Sequence, residues 1–157
     1  MWAQDTVREW QASGVKASCQ TCHFKTHQST GAHDLGRLAG AIKEHVEQRV
    51  ATVSLKNVGH KVLTGDPFRR LVFEAYTEEG CTKALKRWAF QRVFAIVDTK
   101  RVIEKSDSRL VPSQVRTLEL PEGTTHWRLR VVFAEPGLED RVEASDISAI
   151  VMSGRVL

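Results

Sequence analysis

A short segment, Cys19-Gln20-Thr21-Cys22-His23, has residue types and spacing that point to a specific chemistry. In a c-type haem site, two thiols add to the two vinyl groups of the porphyrin, and two intervening residues let both sulfurs reach one edge of the macrocycle. The histidine that follows is then placed under the iron as its proximal ligand. The segment therefore predicts a covalently bound haem attached to Cys19 and Cys22, with His23 on the iron.

The second axial ligand of such an iron is predicted to be a histidine. Methionine is a weaker candidate, because Met1 and Met152 do not lie in segments that suggest a ligand loop. His126 falls inside an apolar strand pattern and His45 near the end of a predicted helix, so we expect structural or solvated roles for both. Bis-histidine ligation predicts a low reduction potential. The candidates that remain for the sixth position are His27, His33 and His60.

A zinc site is the main alternative for the same region. Two thiolates and two imidazoles with spacings that tetrahedral zinc accepts are supplied by Cys19, Cys22, His27 and His33. Zinc leaves His23 without a role, whereas haem attachment explains why a histidine directly follows the second cysteine. A thioredoxin-like dithiol would need a strand–helix–strand context, and the flanking residues look helical or irregular instead. Haem is therefore the preferred hypothesis.

The elements on either side of the motif follow a helical pattern. Asp5-Thr6 can cap a short helix that runs through Gln11. Asp34 can cap a second helix from residue 35 to about residue 48. The apolar positions of this second helix lie three, seven and eleven residues after the first, on one face: Leu35, Leu38, Ile42 and Val46.

After Arg49 the apolar period shortens to two, which predicts strands. Turn residues separate the runs, which are Val50–Leu55, Phe68–Tyr76, Trp88–Asp98, Val115–Leu120, His126–Phe133 and Ile147–Met152. Strands at this spacing are typical of an antiparallel β-sandwich. The predicted fold is mainly β, with a helical haem-binding segment (residues 1–49) followed by an antiparallel, immunoglobulin-like β-sandwich (residues 50–157).

Composition narrows the classes of function. The chain has 157 residues and a formal charge of +4, with basic residues spread along it, so we expect no nucleic-acid partner. No apolar run approaches the roughly 18–20 residues of a membrane span. The third cysteine, Cys81, stands apart from the pair, which predicts a partly buried free thiol and no disulfide framework.

Several segments resemble multihaem c-type cytochromes of the cytochrome c554 type. Trp10-Gln11-Ala12-Ser13-Gly14-Val15 before the cysteine motif is similar to their W-x-x-S and G-V elements, and His27–Asp34 is similar to their H-x-x-x-G-x-H-D run. Asn57–Asp66 resembles their N-x-G-H-x-x-P-T-G element, with Leu63 in place of the proline, and is followed by an Arg-rich strand at Phe68-Arg69-Arg70-Leu71. Asp107–Pro112 resembles the D-T-R-L-x-P that opens a late β-hairpin.

The resemblance implies haem c, electron transfer and a role for His60 as a haem ligand, because a histidine held between a glycine and a Thr-Gly turn is fixed in place. His33 ranks level with His60, and His27 behind them. Such cytochromes hold several haems, whereas this chain has one motif. We therefore expect an excised part of a longer protein or a single-haem descendant, and partners that are a redox protein or other haem domains of a longer parent.

Electron transfer, without an enzymatic reaction, is the function that these observations favour. Haem attachment at this type of motif normally occurs outside the cytoplasm, so a periplasmic or extracellular location is expected, although no secretory signal is visible at the N-terminus. A zinc-stabilised or metal-free β-sandwich interaction module is the alternative. A haem with an open sixth position, acting as a sensor or reductase, is a third hypothesis.

Overall fold

The computed structural model describes residues 2–18, 35–63, 69–98, 101–133 and 147–157. These residues form helices α1 (Trp2–Ser13) and α2 (Leu35–Ala41). The strands are β1 (Ile42–Glu47), β2 (Val50–Leu55), β3 (Arg69–Tyr76), β4 (Lys86–Phe90), β5 (Arg92–Asp98), β6 (Arg101–Asp107), β7 (Val115–Glu119), β8 (His126–Phe133) and β9 (Ile147–Arg155). The prediction of a mainly β chain is confirmed.

The strands form three antiparallel sheets. The first has the order β1-β2-β7, the second β4-β3-β8-β9, and the third is the β5-β6 pair. β3 is central in the four-stranded sheet and pairs with β8 over its whole length, from Arg69 opposite Phe133 to Tyr76 opposite His126.

One hydrophobic core takes side chains from both of the larger sheets. Ala51 and Val53 of β2 belong to the same buried cluster as Leu129 of β8. At its centre Phe73 is completely buried, and its ring stacks on Trp127 at a centroid distance of 5.4 Å. Aromatic pairs add about 1 kcal/mol beyond the area that they bury, so this stack helps to hold β3 against β8.

The second predicted helix is wrong beyond Ala41. The chain continues as β1, in which Ile42 lies opposite Leu55 and Val46 opposite Ala51. Burial alternates along residues 42–47 although four of these six side chains are polar, and the β-branched Ile42 and Val46 pack well on a pleated surface. Pairing with β2 therefore outweighs the helical period. The predicted apolar positions still contribute to the core, because Leu38 and Ile42 are buried.

Two further predictions of secondary structure need correction. α1 begins at Trp2, so Asp5 lies inside the helix and does not cap it. The predicted strand 88–98 is two strands that belong to different sheets. They separate at Gln91, whose backbone N–H donates to Ser108 Oγ (3.1 Å) and whose carbonyl accepts from the Ser108 N–H (2.8 Å). After these bonds the chain leaves the four-stranded sheet and enters the β5-β6 sheet. The sequence analysis did not predict β6.

Other strand predictions are confirmed. β2 and β8 have the predicted bounds, β7 is one residue shorter, and β9 extends beyond Met152 to Arg155. The division between residues 49 and 50 stays a prediction; β1, from the first part, pairs with β2 of the second. In the part of the chain that the structure describes, no helix is long and apolar enough to span a bilayer.

Candidate functional site

The residues that lead into the cysteine motif are held by α1 itself. Trp10 Nε1 donates a hydrogen bond to the carbonyl of Ala17 at 2.9 Å. Ser13 Oγ donates to the Trp10 carbonyl (2.7 Å) and accepts from the N–H of Val15 (3.3 Å). Gly14 has a φ of +70°, which a glycine adopts at no steric cost and which turns the chain at the end of α1. The path of the chain from Trp10 to Ala17 is therefore fixed by these contacts.

The turn that carries His60 packs directly against residues Trp10–Val15, which we call the leader. Gly59 is buried, and a Cβ added to it would lie 2.9 Å from Trp10 Cδ1 and 3.7 Å from Val15 Cβ. Carbon atoms are normally 3.5–4.0 Å apart, so only a glycine permits this approach. The tertiary structure thus brings together two elements that are about 45 residues apart in the sequence, the Trp10–Val15 leader and the Gly59-His60 turn.

His60 itself has a defined ring orientation. Its Nδ1 lies 2.9 Å from the carbonyl oxygen of Lys61. Because a carbonyl oxygen only accepts hydrogen bonds, Nδ1 carries the proton, and in the neutral ring Nε2 carries the lone pair. Metal-ligating histidines commonly have their other ring nitrogen fixed in this way, which orients the ring and raises its basicity.

A partly buried ionic cluster joins the His60 turn to α1 and to the end of β6. Lys61 Nζ donates to Asp107 Oδ2 at 2.7 Å. Arg109, whose side chain is 2% exposed, donates from Nε to Asp107 Oδ1 (3.0 Å) and from Nη2 to Asp107 Oδ2 (2.8 Å). The same Nη2 donates to Glu9 Oε1 at 2.5 Å. We call Glu9, Lys61, Asp107 and Arg109 the ionic latch.

The charges of the latch compensate each other. Burial raises the pKa of Asp107, but hydrogen bonds from Arg109 and Lys61 outweigh it and hold that pKa well below its usual range. Burial lowers the pKa of Arg109, but Asp107 and Glu9 more than offset this and raise it. Two cations and two anions are thus paired, which buried charges require. Within the described residues Arg109 Nη1 and Glu9 Oε2 have no hydrogen-bond partner, and we expect an ordered water there.

A second contact holds the first half of α1. The Arg92 guanidinium lies 3.3 Å from Asp5 Oδ2 and also pairs closely with Glu104 on β6. Asp5 and Glu9 are four residues apart, so both carboxylates lie on one face of α1. This spacing was a sequence signal for a charged docking face, and the sequence-based reasoning missed it.

The structure differs from the family resemblance at Leu63. The resemblance places a proline there, but Leu63 has a φ of +61° and is 6% exposed, in the core. Proline fixes φ near −65° and cannot adopt this conformation. In this chain, therefore, the turn after His60 is held by a buried leucine in a left-handed conformation.

The remaining predicted site residues have different outcomes. Cys19, Cys22, His23, His27 and His33 lie outside the described residues. His45 is exposed on β1 beside Glu47, not on a helix, and His126 is in β8 as expected. Cys81 is a buried free thiol, which confirms that prediction. Across the described ranges, no three histidine, cysteine or acidic side chains are grouped as metal ligands.

No protein-family model, curated protein sequence or solved structure matches this chain. The assignment of a function therefore depends on the cysteine motif and on the geometry of the leader, the His60 turn and the ionic latch.

Proposed function

We propose that this chain is an electron-transfer c-type cytochrome, or the haem-bearing part of a multihaem one. One haem c would be held by Cys19 and Cys22 through thioether bonds, and its iron by His23 and His60. The observation that carries the proposal is the contact of the Gly59-His60 turn with the Trp10–Val15 leader, since it associates a histidine of fixed tautomer with the segment that enters the motif.

The residues of this chain fit a covalently bound haem in two respects. The donor set combines two thiols and a histidine at haem-attachment spacing with a second imidazole whose Nε2 carries the lone pair. The length of the connecting chain also limits the distance between His23 and the Trp10–Val15 leader. His23 is five residues beyond Ser18, so at most about 18 Å of extended chain separates them. Ser18 in turn follows Ala17, whose carbonyl is bonded to Trp10.

The role of the protein in this function is to hold ligands and exclude water. A bound haem supplies one-electron oxidation and reduction, and two imidazole ligands favour a low potential. The Lys61 carbonyl orients the His60 ring, and the ionic latch fixes the His60 turn against α1. A ligand on such a rigid support keeps its geometry when the charge on the metal changes.

The architecture that we propose around this site is a haem-binding N-terminal segment, residues 1–49, whose strand β1 pairs with β2 of an immunoglobulin-like β-sandwich, residues 50–157. The shared core of the two larger sheets supports a sandwich in which each sheet is one layer. A periplasmic or extracellular location follows from the chemistry of haem attachment. A redox protein or further haem domains of a longer chain would be the partners.

The decisive experiment is expression in a periplasm that contains haem-maturation enzymes. We expect a red protein with about one iron per chain and a Soret band that survives acid–acetone extraction. Cys19→Ser/Cys22→Ser should abolish attachment, whereas Cys81→Ser, at a buried thiol remote from the motif in sequence, should not. A colourless protein with free thiols would refute the proposal, and one zinc per chain would favour the zinc-stabilised module.

The sixth ligand is tested by His60→Ala in the haem-bearing protein. We expect the low-spin, six-coordinate spectrum of the wild type to become high-spin, with rapid carbon monoxide binding to the reduced form. His45→Ala is the matched control, because His45 is exposed on β1. If His60→Ala stays six-coordinate and low-spin, His33 or His27 is the ligand, and the assignment of His60 is wrong.

A further inference from the structure

The four-stranded sheet has a second face that is rich in arginine. Leu71, Phe73 and Ala75 of β3 point into the core, so Val72, Glu74 and Tyr76 point to the opposite side. Residues that lie opposite each other on neighbouring strands share a face. By this pairing the second face includes Arg87 of β4, Arg128 and Arg130 of β8, and Arg155 of β9. We call these four residues the arginine face.

A buried carboxylate orders part of this face. Glu74 is completely buried, and its oxygens accept from Arg87 Nε (2.9 Å) and from Arg130 Nε and Nη2 (2.8 Å each). The Tyr76 hydroxyl donates to it at 2.6 Å. Burial raises the pKa of Glu74, but the hydrogen bonds from Arg130, Tyr76 and Arg87 outweigh it and keep the pKa below its usual value. Glu74 is therefore ionised and fixes two guanidiniums.

The face keeps a positive surplus. The four guanidiniums are accompanied by the buried Glu74 and by Glu79, which pairs with Arg155, so their local excess is two positive charges. Arg87 is 42% exposed, and within the described chain its Nη groups donate no hydrogen bond. Arg155 is 68% exposed; its pair with Glu79 (3.3 Å) is between two solvated side chains and therefore weak. The Arg128 guanidinium lies over the Tyr76 ring at 5.7 Å.

We propose that the arginine face docks an acidic segment of a partner protein. Guanidiniums bind carboxylates through paired hydrogen bonds, and those already ordered by Glu74 lose less side-chain entropy when they bind. Nucleic acid fits less well, because unpaired bases need exposed aromatic rings for stacking. The one aromatic ring that the described part of this face presents, Tyr76, is buried beneath Arg128. The proposal does not depend on haem.

The test measures the binding of a fluorescent polyglutamate peptide to the full chain by anisotropy, at low and at high salt. We expect salt-sensitive binding that Arg87→Gln/Arg128→Gln weakens roughly tenfold. Arg128→Gln/Arg155→Gln removes the same charge without touching the Glu74 hydrogen bonds, and it should have a similar effect if the first variant folds poorly. The matched control is Arg8→Gln/Arg116→Gln, at exposed positions on α1 and β7, for which the loss should stay within about twofold.

Three results would overturn the proposal. The peptide fails to bind the wild type, or the control weakens binding as much as the face variants, which would indicate a response to overall charge alone. The third is tighter binding of a single-stranded oligonucleotide of the same length than of the peptide, which would assign the face to nucleic acid.

Discussion

Gly59→Ala tests whether the His60 turn is seated on the leader of the cysteine motif. The new Cβ would lie 2.9 Å from Trp10 Cδ1, at least about 0.5 Å closer than a comfortable carbon–carbon contact. The Trp10 ring has little freedom to move, because its Nε1 is bonded to the Ala17 carbonyl. The ring or the turn must therefore shift.

The magnitude follows from these two contacts. Overpacking at a filled site costs typically 1–3 kcal/mol, and loss of the indole hydrogen bond costs about 1 kcal/mol more. We expect Gly59→Ala to lower the free energy of unfolding by about 2 kcal/mol, which corresponds to a fall in Tm of roughly 4–8 °C for a domain of this size. In the haem-bearing protein we also expect a larger high-spin fraction, because the His60 turn moves with Gly59.

Thermal and urea unfolding give the stability, and the absorption spectrum gives the ligation. Gly40→Ala is the control, since no atom lies within 4 Å of its added Cβ in α2 and alanine favours a helix by up to about 1 kcal/mol. Trp10→Leu combined with Gly59→Ala should cost less than the sum of the single variants, because the clash is then relieved. Unchanged stability of Gly59→Ala, or simple additivity in the double variant, would refute the seating.

Three other substitutions have effects on stability that we expect from the local surroundings of one residue. Gly154→Ala puts a Cβ 2.9 Å from Trp127 Nε1 and should cost about 1–3 kcal/mol in urea unfolding, whereas Gly80→Ala, whose Cβ would meet only Thr82 Cγ2 at 3.7 Å, should change stability by less than about 0.5 kcal/mol. Leu63→Pro introduces a residue that cannot adopt a φ of +61°, so it should lower stability by more than about 1 kcal/mol. Asp107→Asn should cost roughly 3 kcal/mol at neutral pH, because it leaves Arg109 and Lys61 partly uncompensated.

The stability lost in Asp107→Asn should depend on pH in a definite direction. The pKa of Asp107 is depressed by folding, so its contribution to stability is complete above the unfolded value of about 3.9 and declines as the pH falls below it, toward the lower folded pKa. The difference in stability between the wild type and Asp107→Asn should therefore shrink below about pH 4. A difference that stays constant down to acid pH would contradict the role of the latch.

For Gly154→Ala and Leu63→Pro, wild-type stability would contradict the contacts assigned to them.

Local patterns in the sequence correctly predicted those strands and buried positions that depend only on neighbouring residues. β2 and β8 are rich in β-branched or aromatic residues and lie between turn signals, and their bounds are as predicted. The haem hypothesis depends only on the types and order of five adjacent residues, so it could be formed without knowledge of the fold. The buried positions Leu38 and Ile42 were also identified, because an apolar stripe indicates burial whichever backbone it adopts.

Other features depended on partners that are distant in sequence. The chain around Ile42 is a strand because β2 lies beside it, and the chain turns at Gln91 because Ser108 accepts its N–H. The ionic latch unites Glu9 with Lys61 and with the Asp107–Arg109 pair, at separations that no local period encodes.

The sequence by itself determined the candidate chemistry, the apolar positions and most strands, since these depend on neighbouring residues and their periodicity. Only the tertiary structure decided that the Gly59-His60 turn lies on the Trp10 leader, because that contact requires both a missing side chain at Gly59 and a chain path that returns to α1. The same holds for the arginine face, which exists only because sheet register places side chains of three strands on one side.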